Sequence, residues 1–136
     1  MKITLCGSTK FMEAFTDWNI ILTKAGFLVY SVCTSLKNNG EQNLNDGDPI
    51  KRRLDLVHLG KILESDAIVV LNKDKYIGDS TKREIEWATM NDKPVYWLEL
   101  PIPGSAYPGM SVWHLHSKFT GLPIAQIVGT EKYTQV

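Results

Sequence analysis

The segment Ala67-Ile68-Val69-Val70-Leu71 is apolar at every position. A strand wetted on one side would alternate between apolar and polar residues. An unbroken apolar run instead marks a strand covered on both faces, the usual state of a central strand in a parallel sheet. Parallel neighbours need long crossover connections, which lay helices over the sheet. This run is also the longest apolar stretch of the chain, far short of the ~20 residues that a membrane span needs.

The flanking segments fit that frame. Lys2 to Cys6 reads as a short strand running into Gly7-Ser8-Thr9. Phe11, Ala14, Phe15, Trp18, Leu22 and Ala25 then recur at helical spacing, and Gly26 closes the pattern. Phe27 to Cys33 is a second strand, and residues 37–48 form a long polar loop of the kind that is often functional. Asp48 caps a helix that begins at Pro49 and runs to about Glu64. After the apolar run come a polar loop at Asn72 to Asp79, a helix from about Ser80 to Met90, and a strand at Pro94 to Leu98. Ile124 to Val128 adds a possible fifth strand. The order predicts an α/β fold: a doubly wound, flavodoxin/Rossmann-like parallel sheet of four to five strands with helices on both faces.

Composition narrows the class. A chain of 136 residues, 43% hydrophobic and 22% charged, suits one globular domain spanning 1–136. Lys plus Arg and Asp plus Glu both number 15, so no net charge draws the chain to duplex nucleic acid or to an anionic membrane. The N-terminus enters a strand directly, without a signal-peptide layout. Cys6 and Cys33 both lie in apolar strands and read as reduced core thiols, so the expected location is cytoplasmic.

In an open parallel sheet, ligands bind beyond the carboxyl ends of the strands, where strand order reverses. Gly7, Ser8, Thr9 and Lys10 land on that edge, as do Asn72, Gly78, Asp79, Ser80 and Thr81. Gly7 permits close backbone approach, while the hydroxyls and the following helix N-terminus offer donors to a phosphate or a sugar. The turn is neither a Walker A loop nor a dinucleotide fingerprint, because the further glycines are absent. A plain helix cap at Ser8 or Thr9 explains the same residues.

Glu84 has two readings. Thr81-Lys82-Arg83-Glu84 spells a capping box, with Glu84 reaching back to a free amide. Alternatively, Glu84 enters the cleft from the first helical turn, where a carboxylate serves as nucleophile or base. Asp66 begins its strand at the opposite end of the sheet and reads as structural. His114 and His116, one residue apart with no acid or thiol beside them, suggest no metal, and no cofactor is expected.

Four segments together resemble the nucleoside 2-deoxyribosyltransferase superfamily. They are Ile3 to Phe11, Asp55 to Ile62, Ser65 to Asn72 and Tyr76 to Ala88, with Lys93-Pro94-Val95 closing the match. The resemblance covers about residues 1–98 and leaves 99–136 as an unmatched C-terminal extension. It implies transfer or cleavage of an N-glycosidic bond in a deoxynucleoside or its 5′-monophosphate, with Glu84 on the family's nucleophile position. The family's aspartate eight residues before Asp66 falls on His58, and an acid six residues before the nucleophile falls on Gly78, with Asp79 next. His58 is thus a candidate proton donor to the leaving base, with an imidazole expected to titrate near neutrality. The resemblance also implies a homo-oligomer, most simply a dimer, with the aromatic tail at Trp113, His114 and Phe119 as its apolar patch. A nucleotide sensor or sequestering protein without turnover is the alternative class, and an interaction domain with a vestigial cleft is a third.

Overall fold

The computed structural model describes residues 1–32, 48–107, 109–127 and 129–133. Cys33 and the polar loop at 37–47 lie outside them. Five parallel strands form one sheet in the order β2-β1-β3-β4-β5. They are β1 (Lys2–Cys6), β2 (Leu28–Tyr30), β3 (Ala67–Val70), β4 (Val95–Trp97) and β5 (Met110–Ser111). Three helices connect them: α1 (Met12–Lys24), α2 (Pro49–Glu64) and α3 (Asp79–Met90). The doubly wound sheet expected from the apolar run is present. β3 sits centrally, with all four residues buried and β1 and β4 paired to its two edges.

Alternation along β1 divides the core. Ile3 and Leu5 face α1 and join Phe15, Trp18, Leu22 and Trp113. Cys6 faces the other way, with Ile62 of α2, Ile85 of α3 and Trp97 of β4. The strand order reverses between β1 and β3, so the carboxyl ends of these two strands mark the expected ligand edge. Gly7 leaves β1 there at φ 147°, and a Cβ on it would stand 3.0 Å from the Leu71 carbonyl. Only glycine fits that close approach.

Two expectations need correction. Ile124 to Gln126 form a 3-10 turn, and the fifth strand is instead Met110–Ser111, parallel to β4. Two residues are too few to show a period. The approach depends on Gly109 (φ 137°), where a Cβ would collide with the Val95 carbonyl and the Trp97 ring. The aromatic tail is not an exposed patch either. Trp113 is buried against Trp18, their ring centroids 5.6 Å apart, and only His114 and Phe119 of the three stand exposed. Among the described residues no helix is long and apolar enough to cross a membrane.

Candidate active site

Glu84 is not part of a cap. α3 begins at Asp79 with Gly78 as its N-cap, and no side chain caps the first turn. Thr81 therefore lies inside the helix and is buried, and Glu84 stands three residues too deep to reach a free terminal amide. Its side chain instead turns inward, 13% exposed, toward α2. The two helices are held together there by the Trp87 indole, whose N–H donates to the Leu59 carbonyl at 3.1 Å.

His58 comes from the middle of α2, and its burial inverts the local sequence pattern. Leu56 and Val57 are exposed while the histidine between α2 and the sheet is 8% exposed. Its Nε2 lies 3.6 Å from Glu84 Oε2 and 3.6 Å from Cys6 Sγ. Three elements thus bring three reactive side chains to the carboxyl end of β1. Glu84 Oε2 is buried without a hydrogen-bond partner.

Burial sets the protonation of this cluster. It pushes the Glu84 carboxyl up to about 8; the Asp55 charge adds to the rise, while Lys51 and Arg83 oppose it. It pushes the His58 imidazole down to about 4, assisted by Lys61 and opposed by Asp55. The Cys6 thiol is raised well above its ordinary range, by burial first and then by Glu84. At neutral pH the His58–Glu84 contact therefore joins two uncharged groups, not an ion pair. The expectation of a histidine titrating near neutrality does not hold in this packing.

The other candidates scatter along the edge. Ser8 Oγ accepts from the Lys10 amide at 3.4 Å, the local cap that competed with a ligand role. The Lys10 ammonium lies 3.3 Å from the Tyr76 ring centroid. Asn72 is buried and clamps β3 to the end of β4, donating to the Glu99 carbonyl at 2.6 Å and accepting from the Glu99 amide at 2.9 Å. Ser80 Oγ accepts from Arg83 at 3.1 Å. Asp79 points into solvent, 3.9 Å from Lys82, and does not join the cluster. Asp66 accepts from the Lys2 amide at 2.7 Å, at the end of the sheet where a structural role was expected. His116 Nδ1 lies 3.0 Å from the Gly121 carbonyl, and His114 is exposed.

Cys6 was missed as a site member, because a thiol ending an apolar strand reads as core. The signal was its place one residue before the ligand-edge turn. A cleft of about 560 Å³, lined in part by Lys10, Phe11, Lys73, Glu99, Trp113 and Tyr133, opens at the same edge on the α1 side of the sheet. The buried carboxyl sits on the α2–α3 side, so cleft and cluster are separate features.

No protein-family model matches the sequence, and no curated protein sequence does. Solved structures do match. A 2-deoxyribosyltransferase from Bacillus psychrosaccharolyticus aligns with a TM-score of 0.51 and 20% identity, over 71% of this chain and 71% of its own. The chain has a 2-deoxyribosyltransferase-like fold. A CMP N-glycosidase from Clostridium botulinum aligns with a TM-score of 0.46 and 19% identity, over 71% of this chain and 67% of that one. A conserved protein from Enterococcus faecalis gives 0.47 and 20%, over 71% and 62%.

Proposed function

We propose that this protein cleaves or transfers the N-glycosidic bond of a deoxynucleoside or deoxynucleoside 5′-monophosphate, with Glu84 as nucleophile. The observation that carries this reading is the Glu84 oxygen, buried and unpartnered beside the sheet edge where strand order reverses. A carboxyl kept out of water and out of hydrogen bonds is costly to maintain, and such groups concentrate at functional sites. The fold shared with a 2-deoxyribosyltransferase supplies a substrate class that such a carboxyl serves.

In the proposed step, Glu84 first ionises by giving its proton to solvent and attacks the anomeric carbon. The electron pair of the broken carbon–nitrogen bond goes to the base, and the base takes up a proton from solvent as it leaves. A second base or water then attacks the glycosyl ester and releases the carboxylate. His58 stays neutral and close to the carboxylate, so its suggested role is to hydrogen-bond, not to donate as an imidazolium. The whole chain, 1–136, is proposed to act as one domain, in a homo-oligomer whose contact surface includes the exposed Leu56 and Val57 of α2. A binding protein without turnover is the second reading. It is favoured by Asp79, the acid next to the second acid position that the resemblance implies, which faces solvent.

Incubation with a panel of deoxynucleosides and their 5′-monophosphates, with chromatography of released base, tests the proposal. Release from at least one substrate is expected. Ligand-induced melting shifts without any release would favour the binding protein.

A further inference from the structure

Cys6, His58 and Glu84 converge from β1, α2 and α3, yet the proposed reaction consumes only the carboxylate. A thiol–imidazole–acid triad does not explain the other two. Such a triad places the acid on the imidazole nitrogen opposite the nucleophile, whereas here Sγ and Oε2 both approach Nε2. A structural hydrogen-bond cluster does not explain them either. Cys6 Sγ and His58 Nε2 hydrogen-bond at 3.6 Å, an ordinary length for sulfur, but Glu84 Oε2, 3.6 Å from the same nitrogen, is left with no hydrogen-bond partner.

The separations do fit a coordination shell. A tetrahedral zinc ion bonds sulfur at about 2.3 Å and nitrogen or oxygen at about 2.0–2.2 Å, which places neighbouring donor atoms about 3.4–3.6 Å apart. The S···N and N···O distances are both 3.6 Å, and the three donor atoms all lie within 4.8 Å of one another. The sulfur–oxygen span then has to close by no more than about 1.3 Å to reach that geometry. Three ligands from three elements are the number found where zinc keeps one position open.

We propose that Cys6 Sγ, His58 Nε2 and Glu84 Oε2 bind a thiophilic divalent cation of the zinc class. Thiolate and imidazole donors select such ions against magnesium and calcium, which take oxygen ligands. Binding forms one metal–sulfur, one metal–nitrogen and one metal–oxygen bond. The thiol proton, and the carboxyl proton where present, leave to solvent, and nothing is oxidised or reduced. The sequence led to an expectation of no metal anywhere in the chain, with Cys6 read as a core thiol; this proposal departs from that expectation because the fold brings Cys6 to His58 and Glu84. A further consequence rests on the reading of Glu84 as nucleophile: the cation occupies the attacking oxygen and inhibits base release.

Cobalt(II), added to the full chain after chelator treatment, reads the site without reference to activity. One cobalt per chain is expected, with a thiolate-to-cobalt charge-transfer band, visible bands of tetrahedral intensity, and displacement by zinc. Cys6→Ser abolishes the charge-transfer band, and Cys33→Ser leaves it in place. His58→Asn weakens cobalt binding by about a hundredfold or more, since losing a ligand costs at least what losing its outer partner does. Absence of the band, or a band lost with Cys33 and kept without Cys6, overturns the proposal. Should Cys6→Ser fail to fold by circular dichroism, unchanged cobalt affinity in both His58→Asn and Glu84→Gln overturns it equally. The two readings also separate. A Cys6-dependent cobalt band in a protein that releases no base keeps the metal site and removes the glycosidic reaction. Base release that ignores saturating zinc removes the antagonism.

Discussion

Two polar clusters occupy neighbouring layers between β1 and α2, and they are built in opposite ways. In the lower layer, Thr4 Oγ1 and Ser65 Oγ both reach the Lys61 carbonyl, at 3.1 and 2.7 Å, and hydrogen-bond each other. Every hydroxyl there has a partner. Two residues along the same face of β1 and one turn back along α2, His58 stands 3.6 Å from both Cys6 and Glu84, with one carboxyl oxygen unpartnered. Both layers are buried by the same elements, so burial alone does not separate them. Satisfaction does: a buried polar group with no partner calls for a reason beyond the fold. Trp18 Nε1 is also unpartnered, but it is one indole in an aromatic cluster on the α1 side.

The sharpest way to break the contrast is to exchange one residue from each layer. Glu84→Gln keeps shape and burial, and base release per folded molecule is expected to fall by about a thousandfold or more, the scale of losing a nucleophile. Residual turnover above that level in a properly folded variant would remove Glu84 from the chemistry. Thr4→Ala is expected to do the reverse. It leaves the Ser65 hydroxyl short of one partner and costs about 1–3 kcal/mol in denaturant unfolding. Its base release, corrected for folded fraction, stays close to the parent value. A Thr4→Ala protein that keeps its stability and loses turnover would invert the assignment.

Stability against pH distinguishes the layers next, in metal-free protein. The carboxyl of Glu84 is raised from 4.5 to about 8, so the folded chain binds more protons than the unfolded chain across that range. Its contribution is complete below pH 4.5 and is lost as pH rises through 8. His58 is lowered from 6.5 to about 4, so its contribution is present above pH 6.5 and is lost as pH falls through 4. Between 4.5 and 6.5 the two slopes oppose each other. Above 6.5 only Glu84 acts, and unfolding free energy is expected to drop by up to ~2 kcal/mol by pH 8, at 1.36 kcal/mol per unit. The groups facing the carboxyl from α2 and α3, Asp55, Lys51 and Arg83, set where that limb lies. Glu84→Gln should flatten it, and Thr4→Ala should keep it. Parallel profiles for wild type and Glu84→Gln would mean that the carboxyl is not buried as described.

Much of this frame was legible before any coordinates. The apolar run at Ala67 to Leu71 announced the parallel sheet, and Asp48-Pro49 marked the start of α2, where Asp48 Oδ1 accepts from the Ile50 amide at 2.8 Å. The site was only half legible. Glu84 stood out by resemblance, but its role as a cap or as a buried acid depended on whether the N-cap of α3 lay at Thr81 or three residues earlier at Gly78, and periodicity does not resolve three residues. The burial of His58 was hidden by its neighbours. Leu56 and Val57 look like the core face, and only the packing of α2 on α3 turns them outward. Cys6 was hidden by its own chemistry, since a thiol and a small core residue look alike in sequence. At the edge, the Asn72 amide and the Ser8 hydroxyl already bond backbone groups, which residue type alone does not reveal.

If the upper layer is reserved for a ligand, the ligand's other end should register at the N-terminus of α3, about one and a half turns from Glu84. That terminus has no side-chain cap, so its amides are available to an anion, and the helix dipole favours negative charge there. Arg83 adds a guanidinium that already bonds Ser80 Oγ at 3.1 Å. A 5′-phosphate suits this arrangement, whereas a free nucleoside brings only a hydroxyl. The expected outcome is a 5′-monophosphate bound about tenfold more tightly than its nucleoside, roughly 1.4 kcal/mol, by calorimetry at one fixed salt concentration. The size is modest because the site is open to water and part of the attraction is screened. Arg83→Gln should close most of that gap by weakening the monophosphate alone, and Ser80→Ala should narrow it less. Neither variant touches the lower layer, so melting temperatures should stay near the parent's. Equal affinities for monophosphate and nucleoside in wild type would detach the anion site from the buried carboxyl. Glu84 would then serve a ligand recognised by its sugar and base alone.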